Sequence, residues 1–262
     1  MYDRLSQSLV VGIRREGELQ KFPLHGRFNP PEKVKACSSF LLAAGPKQCH
    51  FCELKSELME VHHIDHDHDN WARSNLAWAC PLCHQVFHSY EAGLMGSRLI
   101  FAPDIKQQTL NHLQRMIAVV LYHGESLGLK EQQPRAKRLL NMLAQYSNTV
   151  QKQWTSYKLV DFALKMRRLN NDQYRHRDEA LDGLRVLFNP EIFKNESVFW
   201  AKEAVDLMPA NQWRDAYEDV VIKAGLKTLK NPPPKEMLRD TVDIREEGDE
   251  AEESIVVEDD KD

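Results

Sequence analysis

Apolar residues recur every three or four positions along most of the chain after residue 104, which is the spacing of one face of an α-helix. The pattern predicts six successive helices, with apolar stripes at Leu110, Leu113, Ile117, Val120 and Leu121; at Leu139, Leu140, Leu143 and Tyr146; at Trp154, Tyr157, Val160, Leu164 and Leu169; at Leu181, Leu184 and Leu187; at Phe199, Ala204 and Leu207; and at Trp213, Tyr217, Val220 and Val221. Asp104 is expected to cap the first of these helices and Gly124 to end it. Such stripes are typical of core packing, so they predict a helical body with no cofactor role.

The N-terminal part of the chain has a mixed pattern. Residues 9–13 and 19–24 are apolar and flank a polar stretch, which predicts a hairpin. The spacing in residues 32–44 predicts a short helix, and residues 99–101, which precede Pro103, predict a short strand. Together with the helices that follow, these elements predict an α+β fold that is mostly α.

Composition and hydropathy favour an ordinary globular protein. The hydrophobic fraction is 42% and the charged fraction is 28%, and no apolar run approaches the roughly 18–20 residues that cross a bilayer. The first residues have no signal-peptide layout. We therefore expect a soluble cytoplasmic protein that does not insert into the membrane.

Charge is distributed unevenly along the chain. Residues 239–262 contain twelve acidic and three basic residues, a net charge of −9, so the rest of the chain carries +5 although the whole is −4. The acidic segment follows a proline run at 231–234 and contains no aromatic residue, which predicts a disordered tail. Its simplest role is to keep the protein soluble; the alternative is that residues 255–257, Ile-Val-Val, dock to a basic groove of a partner. A body charge of +5 permits nucleic-acid contact without requiring it.

The cysteines indicate a metal site. Cys49 and Cys52 form one C-x2-C pair, and Cys80 and Cys83 form a second pair after 27 residues. Two such turns can supply four thiolates to a tetrahedral Zn²⁺, which predicts a structural zinc ion. The alternative is four free thiols in a core. Cys37 stands alone and is most simply a small buried apolar residue.

Histidines concentrate between and after the two cysteine pairs. This stretch contains His62 and His63 in sequence, then Asn75, then His84 and His88. The order and spacing resemble the HNH family of endonucleases, in which two strands and a helix (a ββα module) surround one catalytic cation. The resemblance implies that His62 binds the cation, that His63 is the general base and that Asn75 braces the loop.

The same resemblance implies that His84 binds the cation, and we expect His88 to lie one turn later on the same helix face. The cation would be Mg²⁺, Mn²⁺, Ni²⁺ or a second Zn²⁺. The alternative is that these histidines are leftover polar groups on a retained scaffold. His66 and His68 alternate with Asp65, Asp67 and Asp69, which favours a solvated loop over further ligands.

A second resemblance covers roughly residues 32–222. It rests on the segments QCHFC, SNLAWACPLC, RLIFAPDIKQQTLNHLQRMIAVVLY and DLMPANQWRDAYEDVV. These resemble, in order, the IcmJ/DotN proteins of type IVB secretion systems (Dot/Icm-like or conjugative). The resemblance implies a zinc-binding subunit of the coupling complex. Its partners would be the coupling ATPase and other secretion subunits, and these would recruit it to the inner membrane. That family often lacks the nuclease histidines, whereas this sequence keeps them.

Two functions therefore remain as hypotheses. The first is an interaction or adaptor subunit that acts on the coupling ATPase; the second is a metal-dependent HNH endonuclease with DNA as its partner, alone or within that machine. A different zinc-containing DNA-binding protein is a third, although the helical body shows no dense Lys/Arg stripe. The predicted organisation is a hairpin and helix at 1–44, an HNH-like zinc module at 45–103, a helical domain at 104–230 and an acidic tail at 231–262.

Overall fold

The computed structural model describes residues 9–13, 31–67 and 70–207 of the chain. The second half of the predicted hairpin, His68, the predicted helix at 213–221 and the acidic segment lie outside the described residues. Within them the fold is mostly helical, as predicted, and it also contains two small sheets. No helix among these residues is both long enough and apolar enough to cross a membrane.

The described helices and strands follow one another in an α+β order. They are α1 Pro31–Ala44, β1 Glu60–His63, β2 Leu76–Ala79, α2 Pro81–Gln85, α3 Ser89–Leu94, β3 Arg98–Phe101, α4 Gln107–His123, α5 Gln133–Gln145, α6 Ser147–Trp154, α7 Leu159–Arg167, α8 Asn171–Arg175, α9 Arg177–Ala180, β4 Leu184–Leu187 and α10 Glu196–Leu207. Three short 3-10 turns, Arg73–Asn75, Lys130–Gln132 and Pro190–Phe193, lie between them. The predicted helix at 32–44 and the predicted strand at 99–101 are confirmed as α1 and β3.

Strands β1 and β2 form an antiparallel pair that α2 follows directly. In their register Glu60 lies opposite Ala79 and His63 lies opposite Leu76. Helix α1 covers one face of the pair with an apolar cluster that includes Leu41 and Val61. Because side chains alternate along a strand, Glu60 and His62 share the other face. This alternation decides where each histidine of β1 points.

Helix α4 is the centre of the helical part. It packs against α5, α10, α2 and β4, and its buried side chains continue into a cluster that includes Ile100 and Leu143. Gly124 follows its last residue, as predicted, but α4 begins at Gln107 with Lys106 at the cap position. The prediction that Asp104 caps this helix is therefore wrong, because the chain first makes a turn in which the Ile105 amide donates to the Ala102 carbonyl.

The predicted fourth helix is a strand instead. Residues Leu184–Leu187 pair antiparallel with β3, and Gly183 precedes them with a φ of +81° that ends helical geometry. The other edge of this strand is hydrogen-bonded to side chains of α4. The Val186 amide donates to Gln107 Oε1 at 2.7 Å, and the Phe188 amide donates to Gln114 Oε1 at 2.6 Å. These partners lie more than 70 residues away, so local periodicity could not reveal them.

The predicted third helix is divided into α6 and α7. Thr155 has a φ of +63° and ends α6. The following residues run beside β3, where the Leu99 amide donates to the Tyr157 carbonyl at 2.9 Å. The strand therefore gains a backbone partner that an uninterrupted helix would not provide. Trp154 packs against Phe162 at 5.4 Å between ring centroids, which makes it part of the helix packing.

Residues 9–13 are a buried segment without regular secondary structure. The Gly12 amide donates to the Val86 carbonyl at 3.1 Å, and the Ile13 amide donates to the Tyr174 hydroxyl at 3.0 Å. Arg177 donates from Nε to the Val11 carbonyl at 3.3 Å. This segment thus joins the end of α2 to α8 and α9.

One hydrophobic cluster joins the cysteine-bearing part to the helices. It includes Cys49, Cys83, Leu99, Leu159 and Trp200. Packing is therefore continuous across residue 103, where the sequence predicted a domain boundary; the boundaries at 44, 103 and 230 stay predictions.

Candidate metal centre and histidine cluster

The first cysteine pair lies on a tight turn that precedes β1. The Cys49 amide donates to the Leu54 carbonyl at 2.8 Å, and the Glu53 amide donates back to the Cys49 carbonyl at 3.0 Å. Glu53 adopts a left-handed φ of +60°, which lets the turn close. The His50 amide donates to the Trp78 carbonyl at 2.8 Å, so the turn is attached to β2.

The second cysteine pair lies where β2 meets α2. Cys80 occupies the N-cap position, and Pro81 fills the first helical position, where no amide donor is needed. The His84 amide donates to the Cys80 carbonyl at 2.9 Å and closes the first turn. Cys83 lies within that turn, so both sulfurs face the first pair.

The four sulfurs form one compact set. They all lie within 4.8 Å of one another, and the Cys52 and Cys80 sulfurs are 3.7 Å apart. A disulfide needs about 2.05 Å, whereas four thiolates about 2.3 Å from a central metal in tetrahedral geometry stand about 3.8 Å apart. The set therefore fits a metal ion. Across residues 9–13, 31–67 and 70–207, it is the one group of three or more candidate ligands whose donor atoms converge in this way.

The crowding of these thiols shifts their protonation. Hydrogen bonds from Cys49, and then from Cys80 and Cys83, hold the pKa of the Cys52 thiol far below its ordinary value. Burial raises the pKa of the Cys83 thiol well above that value. The surroundings thus favour the thiolate form of Cys52 and the protonated form of Cys83. A bound cation would favour the thiolate form of all four cysteines.

Helix α4 contacts the set through two adjacent residues. Asn111 donates from Nδ2 to the Cys83 sulfur at 3.3 Å. Arg115 donates to His112 Nδ1 at 3.0 Å, so His112 carries its proton on Nε2 and donates it to the Cys52 carbonyl at 3.1 Å. Each cysteine turn is therefore held by the helical part of the protein. The sequence motif did not predict these two residues, because they lie outside it.

His84 and His88 meet beside the cysteine set. Their Nε2 atoms are 3.1 Å apart, and the Glu60 carboxylate accepts a hydrogen bond from His84 Nδ1 at 2.7 Å. The prediction that both histidines lie on one helix is wrong, since α2 ends at Gln85 and His88 occupies the N-cap position of α3. The turn between the helices nevertheless brings the two rings together. Glu60, which completes this group, was not predicted.

His62 lies in an aromatic setting next to this pair. Its ring stacks on Phe87 with the centroids 4.8 Å apart, and it lies 5.4 Å from the ring of His84. Within the described residues, the donor atoms of His62, His84 and His88 do not form a converging set like that of the cysteines. The structure thus brings two of the three predicted cation ligands together and leaves the third beside them.

His63 faces away from this group. It is 0% exposed, and its ring meets Trp71 edge-on with 4.6 Å between centroids. Strand alternation places it on the opposite face of β1 from His62. A group buried in this way has no open path to a solvent-borne substrate in the described arrangement.

Asn75 braces the loop that connects β1 and β2. Its Oδ1 accepts from the Asp65 amide at 2.9 Å, while its Nδ2 donates to Asp65 Oδ1 and to the Asn70 carbonyl, both at 2.8 Å. Burial alone would raise the pKa of the Asp65 carboxyl. Hydrogen bonds from the Asp67 backbone and from the side chains of Asn70 and Asn75 outweigh this effect and lower that pKa.

His66 differs from the expectation of a solvated side chain. It is half-buried, and its ring lies 4.4 Å from Phe87 and 5.5 Å from His62 between centroids. Arg177 donates from Nη2 to His66 Nε2 at 3.4 Å. Arg177 comes from α9, far away in sequence, so no local signal could have indicated this contact.

Comparison with known proteins adds no relative to this picture. No protein-family model matches the chain, and no curated protein matches it. Inferences about function therefore rest on the site geometry and on the quoted sequence segments.

Proposed function

We propose that this chain is a zinc-binding interaction subunit of a type IVB secretion or conjugative coupling complex, and that its zinc is structural. The observation that carries the non-catalytic part of the proposal is the full burial of His63, the candidate general base. The assignment to a secretion machine rests on the resemblance to the IcmJ/DotN proteins. The partner would be the coupling ATPase.

The donor set supports a structural role for the metal. Four thiolates complete the coordination of Zn²⁺, whereas a catalytic zinc site keeps one position open for water or substrate. Cys49, Cys80 and Cys83 are also buried. The zinc would therefore join the two cysteine turns and supply no catalysis.

The environment of Asn111 leads to a test of the zinc proposal. Asn111→Asp keeps the side-chain shape but replaces the amide donor to Cys83 with a carboxylate, which repels the thiolate. We expect zinc affinity to fall about 10–100-fold, as is typical when a group that supports a metal ligand is lost. Competition with a chromophoric chelator measures the affinity. Asn141→Asp, an exposed change on α5, is the control, and equal affinities in the two variants would contradict the proposal.

Transfer and cleavage assays test the interaction role. We expect wild-type protein to leave plasmid DNA intact in Mg²⁺, Mn²⁺, Ni²⁺ or Zn²⁺. We expect His63→Ala to keep its zinc, to co-purify with the coupling ATPase and to support transfer at the wild-type level. Because His63 is buried, a thermal melt must first establish that the variant is folded; His84→Ala provides a second variant, at a side chain that is 11% exposed. Metal-dependent cleavage that His63→Ala abolishes would overturn the proposal.

An HNH endonuclease is the second candidate, and the Glu60–His84–His88 group favours it. Glu60 accepts a hydrogen bond from His84 Nδ1 and thereby directs the Nε2 lone pair toward His88. This is the usual arrangement behind a metal-bound histidine. Two nitrogens about 2.1 Å from one cation stand about 3.0–3.4 Å apart, and the observed 3.1 Å falls in that range.

Cation titration distinguishes the two candidates. If the chain is a nuclease, zinc-loaded wild-type protein should bind one further Ni²⁺ per chain. The double variant His84→Ala with His88→Ala should then lose both that binding and DNA cleavage. In the interaction subunit, we expect no cleavage whether or not a second cation binds. Calorimetry with Ni²⁺ and a plasmid nicking assay on the same preparations provide both measurements.

A further inference from the structure

Helices α5 and α6 expose one row of polar side chains that continues across the joint between them. Tyr146, which lies between the two helices, keeps right-handed helical geometry with a φ of −66° and a ψ of −11°. The buried residues keep helical spacing across this joint: Ala136, Leu139, Leu143, Ser147 and Val150. The opposite side of the two helices is therefore continuous as well. Its members, all exposed, are Arg138, Asn141, Gln145, Asn148 and Lys152. We call these five residues the polar stripe.

This part of the chain contains no carboxylates. Residues 132–160 include no Asp or Glu. Within residues 9–13, 31–67 and 70–207, no carboxylate forms an ion pair with Arg138 or Lys152. Exposed Lys130, in contrast, lies 2.7 Å from Glu125. The polar stripe thus offers positive charge and N–H donors without a negative charge of its own.

Side chains of these types are the ones that contact nucleic acids. Lys and Arg neutralise phosphates, and the amides of Asn and Gln donate to phosphate oxygens and to base edges in the major groove. We propose that the polar stripe binds duplex DNA. The amides lie between the cations, so the density of Lys and Arg along the sequence did not indicate this surface. The binding goes beyond the interaction role proposed above and depends neither on that role nor on the zinc ion.

The dimensions of the stripe suit a duplex. Arg138 and Lys152 are 14 residues apart, which is at most about 21 Å along the helices at 1.5 Å per residue. That length matches about six base pairs at 3.4 Å each. A helix with its side chains is about 10–12 Å wide, and the major groove is about 12 Å wide. Because both helices pack on β3, the polar stripe is the side that can face the groove.

A membrane surface and a single strand suit the stripe less well. Helices that lie on a membrane expose large apolar side chains. The exposed large apolar residues of the described chain lie outside these two helices, at Leu42, Leu94, Met95, Leu164, Val198 and Phe199. Single-stranded nucleic acid is held by aromatic side chains on which its bases stack, and the stripe contains none. A duplex, which needs cations and amide donors, is therefore the better fit.

Two charge-matched double variants of the full chain test the contact. Arg138→Gln with Lys152→Gln removes two cations from the stripe, whereas Lys35→Gln with Lys202→Gln removes two exposed cations from α1 and α10. Fluorescence anisotropy measures binding to a labelled duplex. We expect the stripe variant to bind about tenfold more weakly at about 50 mM salt and to lower the salt slope by about 2, because each lost phosphate contact contributes about 0.9. The control variant should bind within about twofold of wild type.

Two outcomes of this comparison would overturn the proposal. The first is that wild-type protein does not bind the duplex at low salt. The second is that the two double variants lose affinity equally, which would mean that only the net charge of the protein matters.

A third variant tests the amides in the middle of the stripe. Gln145→Glu with Asn148→Asp changes the net charge by the same two units but places two carboxylates there. These repel phosphates and donate no hydrogen bond, so we expect affinity for the duplex to fall about 100-fold. Both side chains are exposed, so folding and zinc content should persist, and a thermal melt and elemental analysis check this. Binding as tight as that of the Lys35 and Lys202 control would contradict the proposal.

Competitors identify the class of partner. Unlabelled duplex should displace the labelled duplex from wild-type protein. A thymidine single strand, phosphatidylserine vesicles and polyglutamate, each compared at equal negative charge, should need about tenfold higher concentrations, because they lack the groove edges that the amides contact. If polyglutamate displaces the duplex best, the partner is an acidic protein and the proposal is wrong. Stronger displacement by the vesicles or by the single strand would refute it in the same way.

Discussion

Replacement of Cys83 by serine is expected to remove the zinc and to unfold the part of the protein that contains the two cysteine turns. Cys83 is 0% exposed, lies within the hydrophobic core and accepts a hydrogen bond from Asn111. A structural Zn²⁺ contributes about 10–16 kcal/mol to folding of a small module, and a whole domain is stable by only about 5–15 kcal/mol. Elemental analysis should find about one zinc per wild-type chain and almost none in Cys83→Ser, whose thermal melt should lose cooperativity.

The fifth cysteine provides the matched control. Cys37 lies on α1 outside the sulfur set, and burial raises its thiol pKa. Cys37→Ser makes the same chemical change without removing a ligand, so zinc content should stay at the wild-type value. The stability change should be about 1 kcal/mol. A folded Cys83→Ser protein that retained a full complement of zinc would show that the four sulfurs are not the ligands.

Gly93→Ala is expected to be strongly destabilising. A Cβ at Gly93 would lie 2.4 Å from the Val160 amide nitrogen and 2.9 Å from the Leu159 carbonyl carbon. Both are backbone atoms, so α3 and α7 would have to separate. Overpacking of this kind costs about 3 kcal/mol, which lowers the melting temperature by about 6–12 °C for a protein of this size.

Gly45→Ala is the control for this prediction. A Cβ at Gly45 would meet no atom within 4 Å, so the free energy of unfolding should change by no more than about 0.5 kcal/mol. Denaturant unfolding of the two variants measures the difference directly. Equal stability of Gly93→Ala and Gly45→Ala would mean that α3 and α7 do not cross as closely as described.

The sequence predicted the features that depend on residues close to one another along the chain. Each C-x2-C pair closes its own turn, and α1 and α4 follow from their apolar spacing. The strand β4 was missed because its edge is completed by Gln107 and Gln114 of α4. The sequence pattern of Leu184–Leu187 could not reveal those partners.

The same holds for the candidate site: contacts within one segment could be predicted from the sequence, and contacts between distant segments could not. The sequence predicted that His84 and His88 would meet, and they do so across a turn instead of along one helix. It could not predict Glu60 behind His84, because that contact requires the pairing of β1 with β2 and the position of α2. Nor could it predict the burial of His63, which depends on the face of β1 that α1 covers and on the contact with Trp71.

The attachment of residues 9–13 bears on the order in which the chain folds as it is synthesised. Ile13 and Val11 are held by Tyr174 and Arg177, which lie 161 and 166 residues further along the chain. At translation rates of about 5–20 residues per second, these partners emerge roughly 10–30 s after the segment that they bind. The Val11 carbonyl and the Ile13 amide therefore lack these partners until α8 and α9 have been made. A pause in translation before residue 177 should consequently increase capture of the nascent chain by chaperones that recognise apolar segments.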